Sequence, residues 1–449
     1  MSKSVSLHTL GCKLNYSETS TIAKQFEEKG YSIEEYGNPA DIFVLNTCSV
    51  TENADKECRQ IIRSVIRNNP ATYVIVTGCY AQLQPEEIAK IDGVDLVLGA
   101  NEKFKLFDYM DNFQKENISC IDESSYKDVK VIRKEVYELD EFVEAYSADN
   151  DSRTRAFLKI QDGCDYKCSF CTIPMARGKS RSLDISKVVE NAKKIIDSGY
   201  KEIILTGVNT GDYLFEVNLP EGESLKYKLI DVLYELDKLN IERIRISSIE
   251  PNLLTDEILD LYTSSNKFCN HFHIPLQSGD SEILKAMRRR YNADFYKDLI
   301  YKINDKIQDV GIGVDVIVGF PGESDANFDN TYRFLDSLPI SYLHVFSYSE
   351  RRNTVAIDLP NSVDVRKRRF RSQVLRNLSN KKRFEFYTKY IGTEQEVLFE
   401  TVKDAGVIEG YTRNYIRVQT PYSAGTENNI KKVKLSAADS IKPVMSEII

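Results

Sequence analysis

The sequence lacks any apolar run long enough to cross a membrane. No stretch of its 449 residues approaches the roughly eighteen consecutive apolar side chains of a transmembrane helix, so we expect no membrane partner. The first residues, MSKSVSLH, also lack the apolar centre of a signal peptide, and we therefore expect a cytoplasmic protein. Nine cysteines in such a chain favour metal or redox chemistry over disulfides.

A fourth cysteine is missing where a closed metal site would need one. Cys164, Cys168 and Cys171 follow the spacing C-x3-C-x2-C, and the next cysteine along the chain is Cys269. A structural zinc site, or a cluster held only by protein, would use four ligands. Three thiolates on one loop therefore predict a 4Fe–4S cluster with one iron left open to a small molecule. A zinc site is the alternative.

Three more cysteines each follow an apolar segment that has the character of a buried strand. The cysteines are Cys12, Cys48 and Cys79, and the segments are residues 5–10, 41–46 and 73–77. A repeated strand–loop–helix order predicts a parallel sheet whose loops gather at one edge. We therefore predict that these cysteines converge and hold a second 4Fe–4S cluster, again with an open iron. The alternative is three ordinary buried thiols, as we predict for Cys58, Cys120 and Cys269.

The segments around both cysteine sets resemble the motifs of the radical S-adenosylmethionine (SAM) methylthiotransferase family. Residues 9–15 (TLGCKLN), 45–51 (LNTCSVT) and 76–82 (VTGCYAQ) are similar to the family's three N-terminal cysteine motifs. Residues 164–181 (CDYKCSFCTIPMARGKSR) resemble its cluster loop, with Phe170 as the aromatic residue before the last cysteine. The motifs occur in the family's order, and the resemblance covers essentially the whole chain.

This resemblance implies a radical reaction and its cofactors. In the family, SAM binds the open iron of the cluster on the loop of Cys164, where an electron donor triggers release of a 5′-deoxyadenosyl radical. The cluster on the set of Cys12 would hold sulfur at its own open iron. With two SAM molecules, this chemistry replaces an unactivated aromatic C–H bond by C–S–CH3, so all six cysteines would be catalytic through their clusters.

The resemblance also suggests a substrate. Residues 173–178, 206–213 and 247–251 are most similar to the branch that modifies N6-threonylcarbamoyladenosine beside the anticodon of tRNA, and they imply the anticodon stem-loop, not DNA, as partner. Asn209 stands where that branch would have histidine, and Met175 where it would have an aromatic residue. Isopentenyladenosine in tRNA and an aspartate of a ribosomal protein are alternative substrates. An iron–sulfur protein that binds RNA or carries electrons is the alternative outside the class.

Between residues 154 and 357, six apolar runs alternate with helix-like segments, as in the partial (β/α)6 barrel of the radical-SAM superfamily. The runs are residues 156–160, 203–206, 244–246, 272–276, 314–318 and 343–347. Active-site residues of such barrels follow the C-terminal ends of the strands. The resemblance therefore implies a SAM site formed with Phe170 by Gly207, Asn209, Ser248, Glu250, Gln277 and Gly319. Tight turns are the alternative for the glycines, and we predict that His271 and His273 pack instead of carrying protons.

The C-terminal region combines a basic segment with a small β domain. The formal net charge of the chain is −8, yet residues 366–389 contain ten Lys or Arg and one acid. This segment predicts a helix whose basic cluster, Arg366, Lys367, Arg368 and Arg369, meets RNA phosphates, and a solvated helix packed on the barrel is the alternative.

Beyond residue 390, alternating runs at 396–399 and 414–418 predict a compact β-barrel similar to the TRAM domain of the family. Its interleaved Arg413, Tyr415 and Arg417 would stack on and neutralise RNA, and ordinary edge-strand residues are the alternative.

The sequence as a whole predicts an α/β protein. We assign residues 1–125 to an N-terminal parallel sheet domain with the auxiliary cluster and residues 150–360 to the radical-SAM barrel. Residues 361–389 would form the basic linking helix, and residues 390–449 the RNA-binding TRAM-like barrel.

Overall fold

A computed structural model describes residues 3–109, 113, 129–139, 141–147, 154–220, 223–402, 406–439 and 441–449. Cys120 lies outside these residues. The chain divides into two compact units, of which the first comprises Met1–Asp149, Asp162–Tyr166 and Cys171–Leu183 and the second Asn150–Gln161, Lys167–Phe170 and Asp184–Ile449. Within the described ranges, no helix is both long and apolar enough to cross a membrane.

The first unit contains a six-stranded sheet in the order β2-β1-β3-β4-β5-β6. Its strands are β1 (Ser4–Thr9), β2 (Ser32–Glu34), β3 (Ile42–Thr47), β4 (Tyr73–Gly78), β5 (Leu96–Leu98) and β6 (Lys130–Ile132), with helices α1 (Lys13–Glu28), α2 (Glu52–Asn68), α3 (Cys79–Leu83), α4 (Pro85–Ala89) and α5 (Leu106–Tyr109). Every strand pair is parallel, which confirms the predicted parallel sheet. Each residue of β3 and β4 is buried, as expected for central strands of such a sheet.

The loop of Cys164 follows β7 (Arg155–Lys159) and the short strand β8 (Gln161–Asp162), and it leads into α6 (Ile173–Arg177) and β9 (Arg181–Ser182). Pro174 lies in the first turn of α6, where its missing N–H costs no helical hydrogen bond. Gly178 ends the helix with a φ of +74°, a conformation that L side chains rarely adopt.

Six parallel strands form the centre of the second unit, in sequence order. After β7 they are β10 (Glu202–Thr206), β13 (Arg243–Ile246), β14 (His271–His273), β15 (Gly311–Val318) and β16 (Tyr342–Ser347), and between β10 and β13 lies the hairpin of β11 (Leu214–Asn218) and β12 (Ser224–Lys228). The first three strands form one hydrogen-bonded sheet and the last three form another. A parallel bridge between Ser248 and His273 joins the third strand to the fourth. This is the predicted six-stranded partial barrel.

Helices surround these strands as the alternating pattern predicted. They are α7 (Ile185–Asp197), α8 (Leu229–Asp237), α9 (Asp256–Ser264), α10 (Ser281–Ala286), α11 (Ala293–Lys306) and α12 (Asp325–Ser337). The fourth strand is shorter than predicted and ends at His273. The physical reason is local, because Pro275 has no N–H for the ladder and Gln277 has a φ of +73°.

The basic segment forms α13 (Val365–Thr388), which runs beside the last strand of the barrel. The Ser379 hydroxyl accepts a hydrogen bond from the Leu343 N–H at 2.9 Å and donates one to the Leu343 carbonyl at 3.0 Å. A serine side chain therefore satisfies backbone groups that an edge strand would otherwise expose.

A closed five-stranded barrel follows in the order β17-β18-β19-β21-β20. Its strands are β17 (Glu394–Phe399), β18 (Val407–Thr412), β19 (Arg417–Pro421), β20 (Ile430–Ala437) and β21 (Val444–Ile448). The prediction of a strand over 414–418 was wrong at its start. Arg413 and Asn414 form a turn, and Tyr415 has a φ of +71°, so β19 begins only at Arg417.

Candidate functional site

Strands β1, β3 and β4 are neighbours in the sheet. A cysteine of the first set follows each of them, directly after β3 and β4 and three residues after the end of β1. Cys12 precedes α1, Cys48 follows the end of β3, and Cys79 begins α3. A Cβ atom on Gly11 would lie 2.7 Å from the Cβ and 2.9 Å from the Sγ of Cys48. The loop of Cys12 therefore approaches Cys48 so closely that only glycine fits before Cys12.

A second glycine allows the same approach between the other two loops. Gly78, with a φ of +98°, precedes Cys79, and a Cβ atom there would lie 2.5 Å from the Thr47 carbonyl oxygen. Thr47 itself precedes Cys48, and its hydroxyl accepts a hydrogen bond from the Tyr80 N–H at 3.2 Å. Parallel register and two glycines thus place all three cysteines at one edge of the sheet.

The electrostatics of this edge suit a cationic cluster. Cys48 and Cys79 are buried, whereas Cys12 is exposed. Burial, and after it the neighbouring Cys79 and Cys12, raise the pKa of the Cys48 thiol to about 12. Three thiolates can coexist here only if positive charge compensates them, and iron supplies that charge. The donor set therefore fits a 4Fe–4S cluster with three protein ligands.

Asn15 ties together two of the cysteine loops. Its side-chain amide donates to the Leu10 carbonyl at 2.8 Å and to the Thr47 carbonyl at 3.1 Å. These carbonyls lie shortly before Cys12 and Cys48 in the chain. The Asn46 side chain in turn donates to the Asn15 carbonyl at 3.0 Å. Asn15 therefore acts as a clamp that fixes the spacing of the loops.

A buried network of charges lies against this clamp. Arg177 donates to the Oδ1 of Asn15 at 2.6 Å, and to Glu18 Oε1 and Asp162 Oδ1 at 2.9 Å each. Lys103 also pairs with Glu18, and all four charged side chains are at most 3% exposed. Burial disfavours the charge of Arg177, but Glu18 and Asp162 outweigh it and hold its pKa well above the ordinary value. Arg177 is therefore a permanent cation near the first cysteine set.

The backbone of the second cysteine loop presents N–H groups to its thiols. The Sγ of Cys164 accepts from the Tyr166 N–H, and the Sγ of Cys171 from the Ile173 N–H, both at 3.4 Å. The Cys164 N–H donates to the Gly178 carbonyl at 3.1 Å. Hydrogen bonds of this kind stabilise the thiolate form that a metal ligand needs.

Cys168, the middle cysteine of the loop, has a charged neighbour that the sequence did not reveal. Arg289 donates from Nη1 to the Cys168 Sγ at 3.2 Å and forms an ion pair with Glu250. Burial raises the pKa of the Cys168 thiol, and Arg289 opposes that shift. Glu250, which we predicted in the SAM site, is thus placed beside Cys168 as the partner of Arg289.

Two other residues predicted in the SAM site lie together after β10. The Asn209 N–H donates to the Gln161 Oε1 at 2.9 Å, and a Cβ on Gly207 would lie 2.8 Å from that same oxygen. The Asn209 side chain is 4% exposed, and in the described part of the chain its amide nitrogen and oxygen have no hydrogen-bond partner. Buried amides are rarely left unsatisfied, so this side chain is suited to a polar ligand.

Of the remaining predicted SAM residues, Phe170 lies in the second cysteine loop, and Ser248, Gln277 and Gly319 follow later strands. Phe170 packs edge-on against Phe320, with 6.5 Å between the ring centroids. The backbone of Gln277 bridges to Val316, and the Gly319 N–H donates to Glu323 at 2.9 Å. Ser248 contacts His273, with 2.6 Å between its Oγ and the histidine Nδ1.

The predicted RNA-binding cluster of α13 divides into two groups. Arg366, Lys367 and Arg369 are exposed, and Lys367 pairs with Asp325 at 3.0 Å. Arg368 is 4% exposed and donates to the carbonyls of Val363 at 2.7 Å and Tyr348 at 3.0 Å. The structure therefore places Arg368 inside the protein, unlike the RNA-facing position that we predicted, because its position on the helix points it inward.

The predicted RNA-binding residues of the small barrel also have internal partners. Arg413 donates to the carbonyl of Phe268 at 2.9 Å, and the Tyr415 ring stacks on His271 with 4.5 Å between centroids. Arg417 is exposed and pairs with Glu409. Arg413 and Tyr415 thus lie in a turn packed on the partial barrel instead of on the open strand face that we predicted, because the chain turns where we expected a strand.

A barrel of six parallel strands, with a three-cysteine loop after the first, defines the radical-SAM class. Two family profiles match the chain accordingly: the radical SAM superfamily over residues 158–335 and the uncharacterized protein family UPF0004 over residues 4–99. A solved radical SAM methyltransferase, TsrM from Kitasatospora setae, is similar in fold, with a TM-score of 0.53 and 14% identity over 80% of this chain and 77% of that one.

Curated relatives narrow the class. The threonylcarbamoyladenosine tRNA methylthiotransferase MtaB of Bacillus subtilis is 41% identical over 96% of this chain and 92% of its own length. The enzyme of that name from Aquifex aeolicus is 37% identical over 92% of this chain and 96% of its own length. A tRNA-2-methylthio-N(6)-dimethylallyladenosine synthase of Clostridium tetani is 33% identical over 82% of this chain and 79% of its own length. The chain belongs to the radical-SAM tRNA methylthiotransferase family, which confirms the resemblance of its motifs.

Proposed function

We propose that this protein is a tRNA methylthiotransferase that places a methylthio group on C2 of N6-threonylcarbamoyladenosine beside the anticodon. The observation that carries the proposal is the pair of three-cysteine sets, each positioned at the carboxyl end of parallel strands. The relatives named for threonylcarbamoyladenosine are up to 41% identical, whereas the relative named for dimethylallyladenosine is 33% identical. That difference supports the choice of nucleoside.

The chemistry requires two iron–sulfur clusters and SAM, which together supply a 5′-deoxyadenosyl radical and a sulfur atom at an open iron. The chain's part is to hold and polarise these groups. Cys12, Cys48 and Cys79 would ligate one cluster near the fixed charge of Arg177, and Cys164, Cys168 and Cys171 the other. Asn209 offers SAM a buried amide, and Gly207, Ser248, Glu250, Gln277 and Gly319 complete the proposed SAM surroundings together with Phe170.

RNA would meet the protein through the exposed cations of α13. Arg366 and Arg369 are exposed on a helix of 24 residues, and each phosphate contact adds to affinity by counterion release. In the small barrel Arg417 is the exposed member of the predicted group. The enzyme would work in the cytoplasm and take electrons from a reducing donor.

The test is mass spectrometry of nucleosides from the total tRNA of a strain that lacks this protein. We expect loss of 2-methylthio-N6-threonylcarbamoyladenosine and accumulation of its parent nucleoside. The wild-type gene should restore the product, and the Cys12→Ala gene should not. Loss of the 2-methylthio isopentenyl nucleoside instead would reject the proposed substrate and keep the reaction class. If neither nucleoside changes, tRNA is the wrong substrate.

A further inference from the structure

Four polar side chains lie together in the partial barrel, from the end of its third strand to its sixth strand. Asp315 and His344 are paired in register between β15 and β16, and Ser248 is bridged to His273. His273 pairs with Gly313, two residues before Asp315. Because residues two apart on a strand share a face, His273, Asp315 and His344 point to the same side of the sheet. We name Ser248, His273, Asp315 and His344 the polar recess.

A hydrogen-bonded row runs through the polar recess. The Ser248 Oγ lies 2.6 Å from the Nδ1 of His273, and the His273 Nε2 lies 2.7 Å from the Oδ1 of Asp315. The His344 ring stands edge-on to that of His273, with 5.3 Å between centroids. Both nitrogens of His273 are thus engaged, so Ser248 and Asp315 fix the orientation of its ring.

The layer of side chains below the recess is filled by the protein itself, and the recess is not. In that lower layer the His271 Nε2 lies 2.8 Å from the Tyr342 hydroxyl, and Tyr415 of the small barrel stacks on His271. In the recess, the side chains of His273 and Asp315 remain 17% and 20% exposed, and His344 is exposed. A ligand can therefore reach the recess, whereas protein side chains close the layer below it.

The recess lies near Cys168 of the second cysteine loop. Ser248 is two residues before Glu250, whose ion pair with Arg289 lies beside Cys168. Two residues span at most about 7 Å. A nucleoside bound in the recess would therefore lie close to the Cys168 side of the barrel.

We infer that the polar recess receives the N6 substituent of the substrate nucleoside, with His344 as a specificity-determining residue. This inference rests on the proposed function. A threonylcarbamoyl group carries a carboxylate, a hydroxyl and ureido N–H groups, which can hydrogen-bond to imidazole, carboxylate and hydroxyl side chains. A dimethylallyl group has no polar atom. It would displace water from the recess and could not form the hydrogen bonds that the water made with the recess side chains. Sites built from such polar groups reject analogues that cannot pair with them.

The side chains of His273, Asp315 and His344 also have the donor atoms of a cation site, because these atoms lie within 4.8 Å of one another. The row of hydrogen bonds opposes that use, since the His273 nitrogen nearest Asp315 would have to exchange its carboxylate partner for the metal. A bound divalent ion is accordingly an outcome that the experiment must be able to detect.

The experiment measures binding of anticodon stem-loops to the full-length protein with both clusters assembled. Three RNAs of one sequence carry threonylcarbamoyladenosine, dimethylallyladenosine or unmodified adenosine at the target position. We expect His344→Ala to weaken binding of the threonylcarbamoyl RNA at least tenfold, a change equivalent to 1.4 kcal/mol, and to change binding of the unmodified RNA less than twofold. His344→Gln, which keeps a hydrogen-bond donor, should recover part of the loss. His8→Gln in the first unit is the matched control.

The possible results separate the inference from the proposed function. If the wild-type protein does not methylthiolate the threonylcarbamoyl RNA, the proposed function fails. If it does and His344→Ala keeps the wild-type preference, or loses affinity for all three RNAs equally, the inference is wrong. A zinc or iron content that exceeds the two clusters in the wild type and falls in His344→Ala would assign the recess to a metal instead.

Discussion

The two cysteine sets have the same number of ligands but are built in different ways. Cys12, Cys48 and Cys79 come from three neighbouring strands of one sheet, so their spacing depends on strand register, on two glycines and on the Asn15 clamp. Cys164, Cys168 and Cys171 lie on one loop after a single strand, and N–H groups of that loop bond to the Sγ atoms of Cys164 and Cys171. The first set is thus a product of tertiary structure and the second largely of local structure.

This difference indicates where each cluster is vulnerable. The first set stands against four charges that are at most 3% exposed, and buried charges are costly unless each keeps its partner. Substitutions far from Cys12 in sequence, such as those at Arg177 or Lys103, should therefore weaken binding of the first cluster. The second set should respond mainly to changes within its own loop and at Arg289, which lies beside Cys168.

Removal of one cysteine from each set should have the largest effect and separate their roles. We expect Cys12→Ala and Cys164→Ala each to abolish methylthiolation, because each cluster would lose one of three protein ligands. Only Cys164→Ala should also abolish 5′-deoxyadenosine formation from SAM. Nucleoside mass spectrometry and an assay of SAM cleavage give the two readouts, and Cys269→Ala is the control. Full methylthiolation by Cys12→Ala would refute the two-cluster assignment.

Loss of the buried guanidinium should have the next largest effect. Arg177→Ala leaves Glu18 and Asp162 buried with one cation fewer, and uncompensated buried charges of this kind typically cost about 3–5 kcal/mol. Denaturation of the metal-free protein measures the change in the free energy of unfolding. Lys105→Ala is the control, since its pair with Glu141 is exposed, at 41% and 57%, and should contribute little to stability. Equal effects of the two substitutions would show that the network has no special role.

The network also shows what sequence patterns could and could not predict. The cysteines and the strands before them follow local patterns of apolar residues and glycine, so their placement on a parallel sheet was predictable. Arg177 and Glu18 are 159 residues apart in the chain, and no local pattern relates them. Sequence patterns also do not predict which way a basic side chain points. The basic segment gave no sign that Arg368 points inward, and nothing in the pattern showed that Arg413 lies in a turn.

Removal of the clamp should weaken the first cluster selectively. Asn15→Ala loses two hydrogen bonds to loop carbonyls and one from Arg177, and a buried group left unpaired costs about 1–3 kcal/mol. We therefore expect a lower iron content with 5′-deoxyadenosine formation retained. Asn69→Ala, at the end of α2, removes a comparable bond to the Ala40 carbonyl and is the control. A parallel loss of iron and of SAM cleavage would show that the two clusters are not independent.

Thiol reactivity in the metal-free protein should give the smallest and most local difference. Cys48 is buried and its pKa is raised to about 12 by burial, so little of the reactive thiolate forms near pH 8. Cys164 and Cys171 are half-buried and accept backbone N–H bonds, which favour their thiolates. We expect iodoacetamide to modify Cys48 at least tenfold more slowly than these two, as measured by peptide mass spectrometry, and the difference to vanish in urea. Equal rates in the folded protein would mean that the sheet edge does not shield its thiols, and the contrast between the two sets would then be one of sequence spacing alone.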